Sequence, residues 1–210
     1  MADTENKGAA QKNQAYAISD VDGTRKLYAD WATTYDTDTT EGMGYVAPNI
    51  VAELAAEFLD KGTPVLDLAC GTGQLAVHLQ RLGFSTIDGL DLSPEMLAIA
   101  EGLGIYRSLG ELDMTQPYLL KDASVEALTC CGIFGPSVIG PEHLAFLAAP
   151  MVSGARAVIS INGKGYEERP FEDALEALFD DGLFHEIYRG FNDYLPKEGI
   201  DALYLVLERF

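Results

Sequence analysis

The chain has 210 residues, enough for one domain that buries roughly 70–75 % of its unfolded surface. Its formal net charge is −19, from 14 Lys and Arg against 33 Asp and Glu scattered along the sequence, and this disfavours a nucleic-acid backbone as partner. Three cysteines (Cys70, Cys130 and Cys131) fit neither a disulfide framework nor a zinc spacing, no metal constellation is visible, and no apolar run is long enough for a signal peptide or a membrane span. The expectation is a cytoplasmic protein with reduced thiols, no membrane partner and no nucleic-acid partner.

Residues 1–22 are polar and alanine-rich and read as a flexible tail, leaving 23–210 as a single domain. From Gly23 to Tyr35, Leu27, Tyr28, Trp31 and Tyr35 recur at helical spacing; this helix either packs ordinarily on the fold or forms a lid over a ligand. Thr37 to Pro48 reads as a flexible loop, and Asn49 to Leu59 as a helix with Ile50, Leu54 and Phe58 on one side. Next comes the most informative stretch, VLDLACGTG at Val65 to Gly73: a buried strand, then a glycine turn, then a helix over Gln74 to Leu82. Ser85 to Leu90 forms a second strand ending at Asp91, and Ser93-Pro94-Glu95 opens a helix with Ser as cap and Pro at its first position.

A third strand over Ile105 to Leu112 brings Asp113 and Met114 to the same rim as Asp67 and Asp91. Strands at Val125 to Cys130 and Ala155 to Ile161 flank a short helix at Pro141 to Ala149. A helix at Pro170 to Phe179 then precedes two strands, His185 to Phe191 and Leu203 to Arg209, suited to a terminal hairpin. Gly132 to Gly140 and Gly163 to Arg169 read as loops at the ligand-facing rim.

The glycine turn alone is ambiguous, because Gly71-x-Gly73-x-x-Ala76 also satisfies a loose dinucleotide fingerprint and so leaves a nicotinamide-dependent oxidoreductase open. Asp67 beside the turn suits a ligand carrying an ammonium group better than a pyrophosphate. Asp91, twenty residues beyond Gly71, stands where a carboxylate accepts hydrogen bonds from a ribose diol, and Met96 could pack on a flat base or simply fill core. An amino-acid head, a ribose and an adenine together make S-adenosylmethionine.

VLDLACGTG, IDGLDLSPEML and the Asp113-Met114 pair resemble a class I S-adenosylmethionine-dependent methyltransferase. YADWATTYDTD, GYVAP and GIYRSL further resemble the methyltransferase-like family of the Williams-Beuren region. The resemblance implies a Rossmann-like α/β fold: a seven-stranded, mostly parallel sheet with a C-terminal antiparallel hairpin, helices on both faces and an N-terminal lid helix carrying Tyr28, Trp31 and Tyr35. It implies that Asp67, Ala69, Gly71 and Gly73 hold the methionine end and that Asp91 accepts the ribose hydroxyls. Leu92 and Met96 would flank adenine, Asp113 and Met114 would contact its edge, and Cys130 would line the space near the sulfonium. The implied reaction moves a methyl group to O, N or S of a small molecule and leaves S-adenosylhomocysteine; the alternative is a catalytically silent binding protein with the same pocket. His143, the one histidine near that rim, is the candidate for touching substrate.

Overall fold

The computed structural model describes residues 2–117 and 125–210, with the side chains of 2–7 and 9 outside that description. The stretch expected as a tail contains a helix, α1 (Ala2–Ala17). Its contacts come from small or single polar groups: Gly8 lies close enough to Asp38 that an added Cβ would stand 3.1 Å from the Asp38 Cβ, and the Tyr16 hydroxyl accepts from Asn162 Nδ2 at 3.0 Å. Lys12 pairs with Glu198. In α2 (Val21–Trp31), Asp20 caps the start by accepting from the Gly23 amide at 2.7 Å, and Leu27 and Trp31 face inward.

The expected helix through Tyr35 stops at Trp31. A short α3 (Tyr35–Thr37) runs on into a π-helical segment, Asp38–Met43, where a flexible loop was expected. Side-chain bonds hold this segment in shape. Buried Asp38 accepts from Trp31 Nε1 at 2.9 Å and from Thr34 Oγ1 at 2.8 Å, while the Thr39 and Thr40 hydroxyls donate back to the carbonyls of Tyr35 and Asp36 at 2.8 and 2.5 Å. Gly44, at φ +71, ends it in the left-handed region.

The remaining elements are α4 (Ala47–Phe58), β1 (Val65–Leu68), α5 (Gln74–Arg81), β2 (Ile87–Asp91), α6 (Pro94–Gly102), β3 (Ser108–Glu111) and β4 (Val125–Phe134). A 3₁₀ segment, Pro141–Ala148, leads to β5 (Met151–Asn162), α7 (Gly163–Glu168), α8 (Phe171–Asp180), β6 (Phe184–Leu195) and β7 (Ile200–Arg209). The seven strands form one sheet in the order β3-β2-β1-β4-β5-β7-β6, and β7 runs antiparallel to both its neighbours. This is the expected α/β architecture. The expected loop at 163–169 is largely α7, because Asn162 Oδ1 accepts from the amides of Lys164 and Gly165 at 3.0 and 3.3 Å and nucleates a turn.

Strand alternation divides the core into two layers. Leu66, Leu68, Leu128 and Ile159 face α8 and the 3₁₀ segment, whereas Val65, Ile87, Ala127 and Val158 face α4 and α5. All the β1 residues are buried, as a central parallel strand requires. β4 continues past Cys130 through an irregular register to Phe134, with Gly132 at φ +80. No helix among the described residues is long and apolar enough to cross a membrane.

Candidate functional site

The turn after β1 is built from three residues in left-handed backbone: Ala69 at φ +57, Gly71 at +54 and Gly73 at +92. A Cβ added at Gly71 would meet nothing within 4 Å, so the main chain there presents a bare edge to open space. Gly73 serves packing instead, since a Cβ there would stand 2.6 Å from Leu103 Cδ1. Asp91, at the end of β2, reaches across to the turn: one carboxylate oxygen accepts from the Gly71 amide at 2.8 Å and the other from the Ser93 amide at 2.9 Å. Burial raises the Asp91 carboxyl, opposed by the amides of Ser93, Gly71 and Leu92.

A cavity of about 990 Å³, counting its open mouth, lies against this edge. Ala69, Gly71, Asp91, Leu92, Met96 and the Asp113-Met114 pair line it, as do Tyr28 and Tyr35. Ser93 Oγ caps α6 by accepting from the Met96 amide at 3.3 Å, which holds Met96 in the wall. Asp113 Oδ1 accepts from the Thr115 amide and hydroxyl at 2.8 and 2.6 Å, fixing the carboxylate at the rim. A second, smaller cavity adjoins the first at Tyr35, Ala69, Gly71 and Cys131, and its wall includes Asp67 and Tyr45.

Besides Gly73, three sequence candidates line neither cavity. Trp31 is in the core, tied to Asp38, and its ring meets Tyr35 edge-on at 4.8 Å between centroids, which backs the tyrosine against the cavity. Cys130 is fully buried with Leu68 and Ile159 on the layer facing α8, and strand alternation turns the next residue, Cys131, to the cavities. His143 lines neither cavity; its Nδ1 accepts from the Gly140 amide at 3.1 Å at the start of the 3₁₀ segment.

Asp67 is 1 % exposed behind the glycine turn, where Oδ2 accepts from the Tyr106 hydroxyl at 2.8 Å and Oδ1 from Thr129 Oγ1 at 3.0 Å. Burial pushes its carboxyl up to about 7, against the two hydroxyl bonds, with nearby Asp91 adding a smaller rise. Tyr106 reaches it only because Gly89 and Gly73 lack side chains: a Cβ at either would crowd the ring, at 2.8 and 3.2 Å. At the junction of the cavities the Tyr45 hydroxyl lies 3.4 Å from Cys131 Sγ, and Ser160 Oγ donates to the same sulfur at 3.7 Å. Burial raises the Cys131 thiol to about 12, opposed by those two bonds.

Sequence reasoning missed Tyr106, Tyr45 and Cys131, although the alternation Leu128, Thr129, Cys130, Cys131 would have assigned Cys131 to the face of Thr129 and hence of Asp67. It also missed Asp36, whose Oδ1 accepts from Thr72 Oγ1 at 2.5 Å and Gln74 Nε2 at 2.8 Å and so ties α3 to the glycine turn. The arrangement suits a ligand with hydrogen-bond donors for Asp91 and Asp113 and a flat apolar part for Leu92 and Met96.

A family profile described as a methyltransferase domain matches residues 65–148, the stretch from β1 through the 3₁₀ segment. Human methyltransferase-like protein 27 is 36 % identical over 176 residues, covering 81 % of this chain and 70 % of its own. The zebrafish (Danio rerio) EEF1A lysine methyltransferase 2 is 24 % identical over 165 residues, covering 72 % and 70 %. Among solved structures, a TehB-like S-adenosylmethionine-dependent methyltransferase from Corynebacterium glutamicum superposes with a TM-score of 0.63 at 19 % identity, over 87 % of this chain and 98 % of that one, which speaks for the fold. The chain belongs to the class I S-adenosylmethionine-dependent methyltransferases, with S-adenosylmethionine as its cofactor.

Proposed function

We propose that the protein transfers the methyl group of S-adenosylmethionine to an O, N or S atom of a small molecule, a reading supported by its similarity to human methyltransferase-like protein 27 for the transfer and by its strongly acidic composition, which disfavours a polyanionic acceptor. The observation that carries this reading is the pairing of the bare Gly71 edge with the Asp91 carboxylate at the wall of one cavity. Asp91 accepts the ribose hydroxyls through lone pairs left free by its two amide bonds. Leu92 and Met96 stack on adenine, and Asp113 and Met114 meet its edge. Ala69 and Gly71 supply main chain to the methionine end, and an ammonium group seated there would favour the ionised form of Asp67 behind them against the burial that raises its carboxyl. Gly73 contributes by letting α5 start close to Leu103 and Tyr106.

Tyr28 of α2 and Tyr35 of α3, with Trp31 packed against both, line the cavity and help exclude water, so this region is a wall of the site as well as part of the packing. S-adenosylmethionine held by Gly71, Asp91, Leu92, Met96 and Asp113 would supply an activated methyl group to an acceptor lone pair, with S-adenosylhomocysteine and the acceptor's proton as the other products. The protein's residues therefore align and desolvate the reacting pair, and Cys131 and Tyr35 border the junction where they meet. Calorimetric titration with S-adenosylmethionine and S-adenosylhomocysteine, with NAD as control, tests the reading. Micromolar binding of both adenosyl ligands and none of NAD is expected; NAD binding, or silence toward all three, would overturn it.

A further inference from the structure

The donor reading occupies the half of the cavity under β2 and β3, and the half at the end of β4 and the loop that follows it is left for the acceptor. The charged side chains lining the cavity, among the described residues, are Asp91, Asp113 and Arg25, and all three belong to the donor half. Each is already engaged: Asp91 with the Gly71 and Ser93 amides, Asp113 with Thr115, and Arg25 with Glu111 at 3.3 Å. The acceptor half is walled by Ile18 after α1, Ile133 of β4 and Val138 and Ile139 of the following loop.

This wall is held from behind. Arg169 donates to the carbonyls of Gly135 and Ser137 at 3.1 and 2.7 Å and pairs with Glu142 at 3.0 Å, so the loop presenting Val138 and Ile139 is pinned before any ligand arrives. The bond between Asn162 and Tyr16 fixes the end of α1, just before Ile18. The surroundings also reject negative charge: burial holds the Cys131 thiol at about 12 and the Tyr35 hydroxyl well above its ordinary 10.0. A charged group entering this half would lose its hydration and find no countercharge among the described lining residues.

We infer that the methyl acceptor is an uncharged, predominantly apolar small molecule, seated against Ile18, Ile133, Val138 and Ile139 with its reacting atom turned toward Cys131 and Tyr35. The inference rests on the donor-site reading above. The test titrates the S-adenosylhomocysteine-loaded protein with two thiols that share a nucleophile and differ in charge, benzyl mercaptan and mercaptosuccinate. Benzyl mercaptan should bind at least about tenfold more tightly. Val138→Asp and, on a different element, Ile18→Asp should each remove that preference while S-adenosylhomocysteine still binds. If S-adenosylhomocysteine binds but mercaptosuccinate is bound as well as benzyl mercaptan, if neither thiol binds, or if both variants keep the preference, the acceptor class is overturned and the donor site stands. If S-adenosylhomocysteine itself fails to bind wild-type protein, the donor reading falls and this inference falls with it.

Discussion

Asp67, buried behind the glycine turn, should write its protonation into the stability of the whole domain. Burial lifts its carboxyl from the ordinary 3.8 to about 7 even though Tyr106 and Thr129 both donate to it. Between those two values the folded chain keeps a proton that the unfolded chain has released, so the free energy of unfolding falls as pH rises. The stabilisation is fully present below 3.8 and gone above about 7, and at about 1.4 kcal/mol per pH unit the whole window is worth roughly 4 kcal/mol. Asp67→Asn is the right perturbation: the amide has nearly the same shape, accepts from one hydroxyl, donates to the other and carries no titrating proton. Urea unfolding of wild type and variant from about pH 5 to pH 8 isolates this one group, because every other titration is common to both. The stability of the variant relative to wild type should rise by roughly 2.5 kcal/mol between pH 5 and pH 8, most of it below pH 7, and level off above pH 8. A difference that stays constant over that range would refute the argument that burial dominates at Asp67.

Asp91→Ala removes a carboxylate from the cavity wall and should weaken S-adenosylhomocysteine binding by about 1.5–3 kcal/mol through lost charge-assisted hydrogen bonds; unchanged affinity in calorimetry would remove Asp91 from the site. Gly132→Ala forces a side chain onto a backbone at φ +80 and into the Tyr45 hydroxyl, and a loss of at least about 1 kcal/mol in urea unfolding is expected; an unchanged midpoint would show that Tyr45 yields freely. Tyr16→Phe deletes the acceptor for Asn162 Nδ2: amide hydrogen exchange over residues 10–17 should quicken, while global stability drops by only about 1 kcal/mol. Unaltered exchange there would mean that α1 is held by other contacts.

Much of the architecture was legible because local chemistry and tertiary role agree in VLDLACGTG. The apolar run of β1 is buried throughout, and the glycines after it do adopt the left-handed backbone that their spacing suggests. The distance from Gly71 to Asp91 was readable as well, since one β-α-β unit brings the two to hydrogen-bonding distance. What escaped depends on contacts far apart in sequence or on polar detail. Tyr106 meets Asp67 across 39 positions, through space that exists only because Gly73 and Gly89 have no side chains. α1 has few large apolar residues and docks through Gly8, Tyr16 and Lys12, so hydrophobic periodicity could not reveal it. The π-helical segment at Asp38–Met43 is shaped by hydroxyl and indole bonds to a buried carboxylate, which polar composition alone reads as loop. Placing Cys131 instead of Cys130 at the cavities needs strand parity to hold for one residue past Cys130, which it does before the register of β4 breaks ahead of Phe134.

The placement of β7 between β5 and β6 bears on how the domain is made during synthesis. Of the seven strands, β7 is translated last, yet it is the one that joins β6 to the rest: residues 156–162 of β5 pair with 202–208, and β6 pairs with β7 alone. While β7 is still inside the ribosome, β5 offers a bare edge whose neighbouring residues Ala157 to Ile161 are all apolar or small, the kind of surface that recruits foreign strands. Folding of the glycine turn and its cavity can begin on β1, β2 and β4, but the nascent chain remains open to mispairing until the final strand has emerged, and a ribosome that stalls shortly before Ile200 would release a sheet with its adhesive edge exposed.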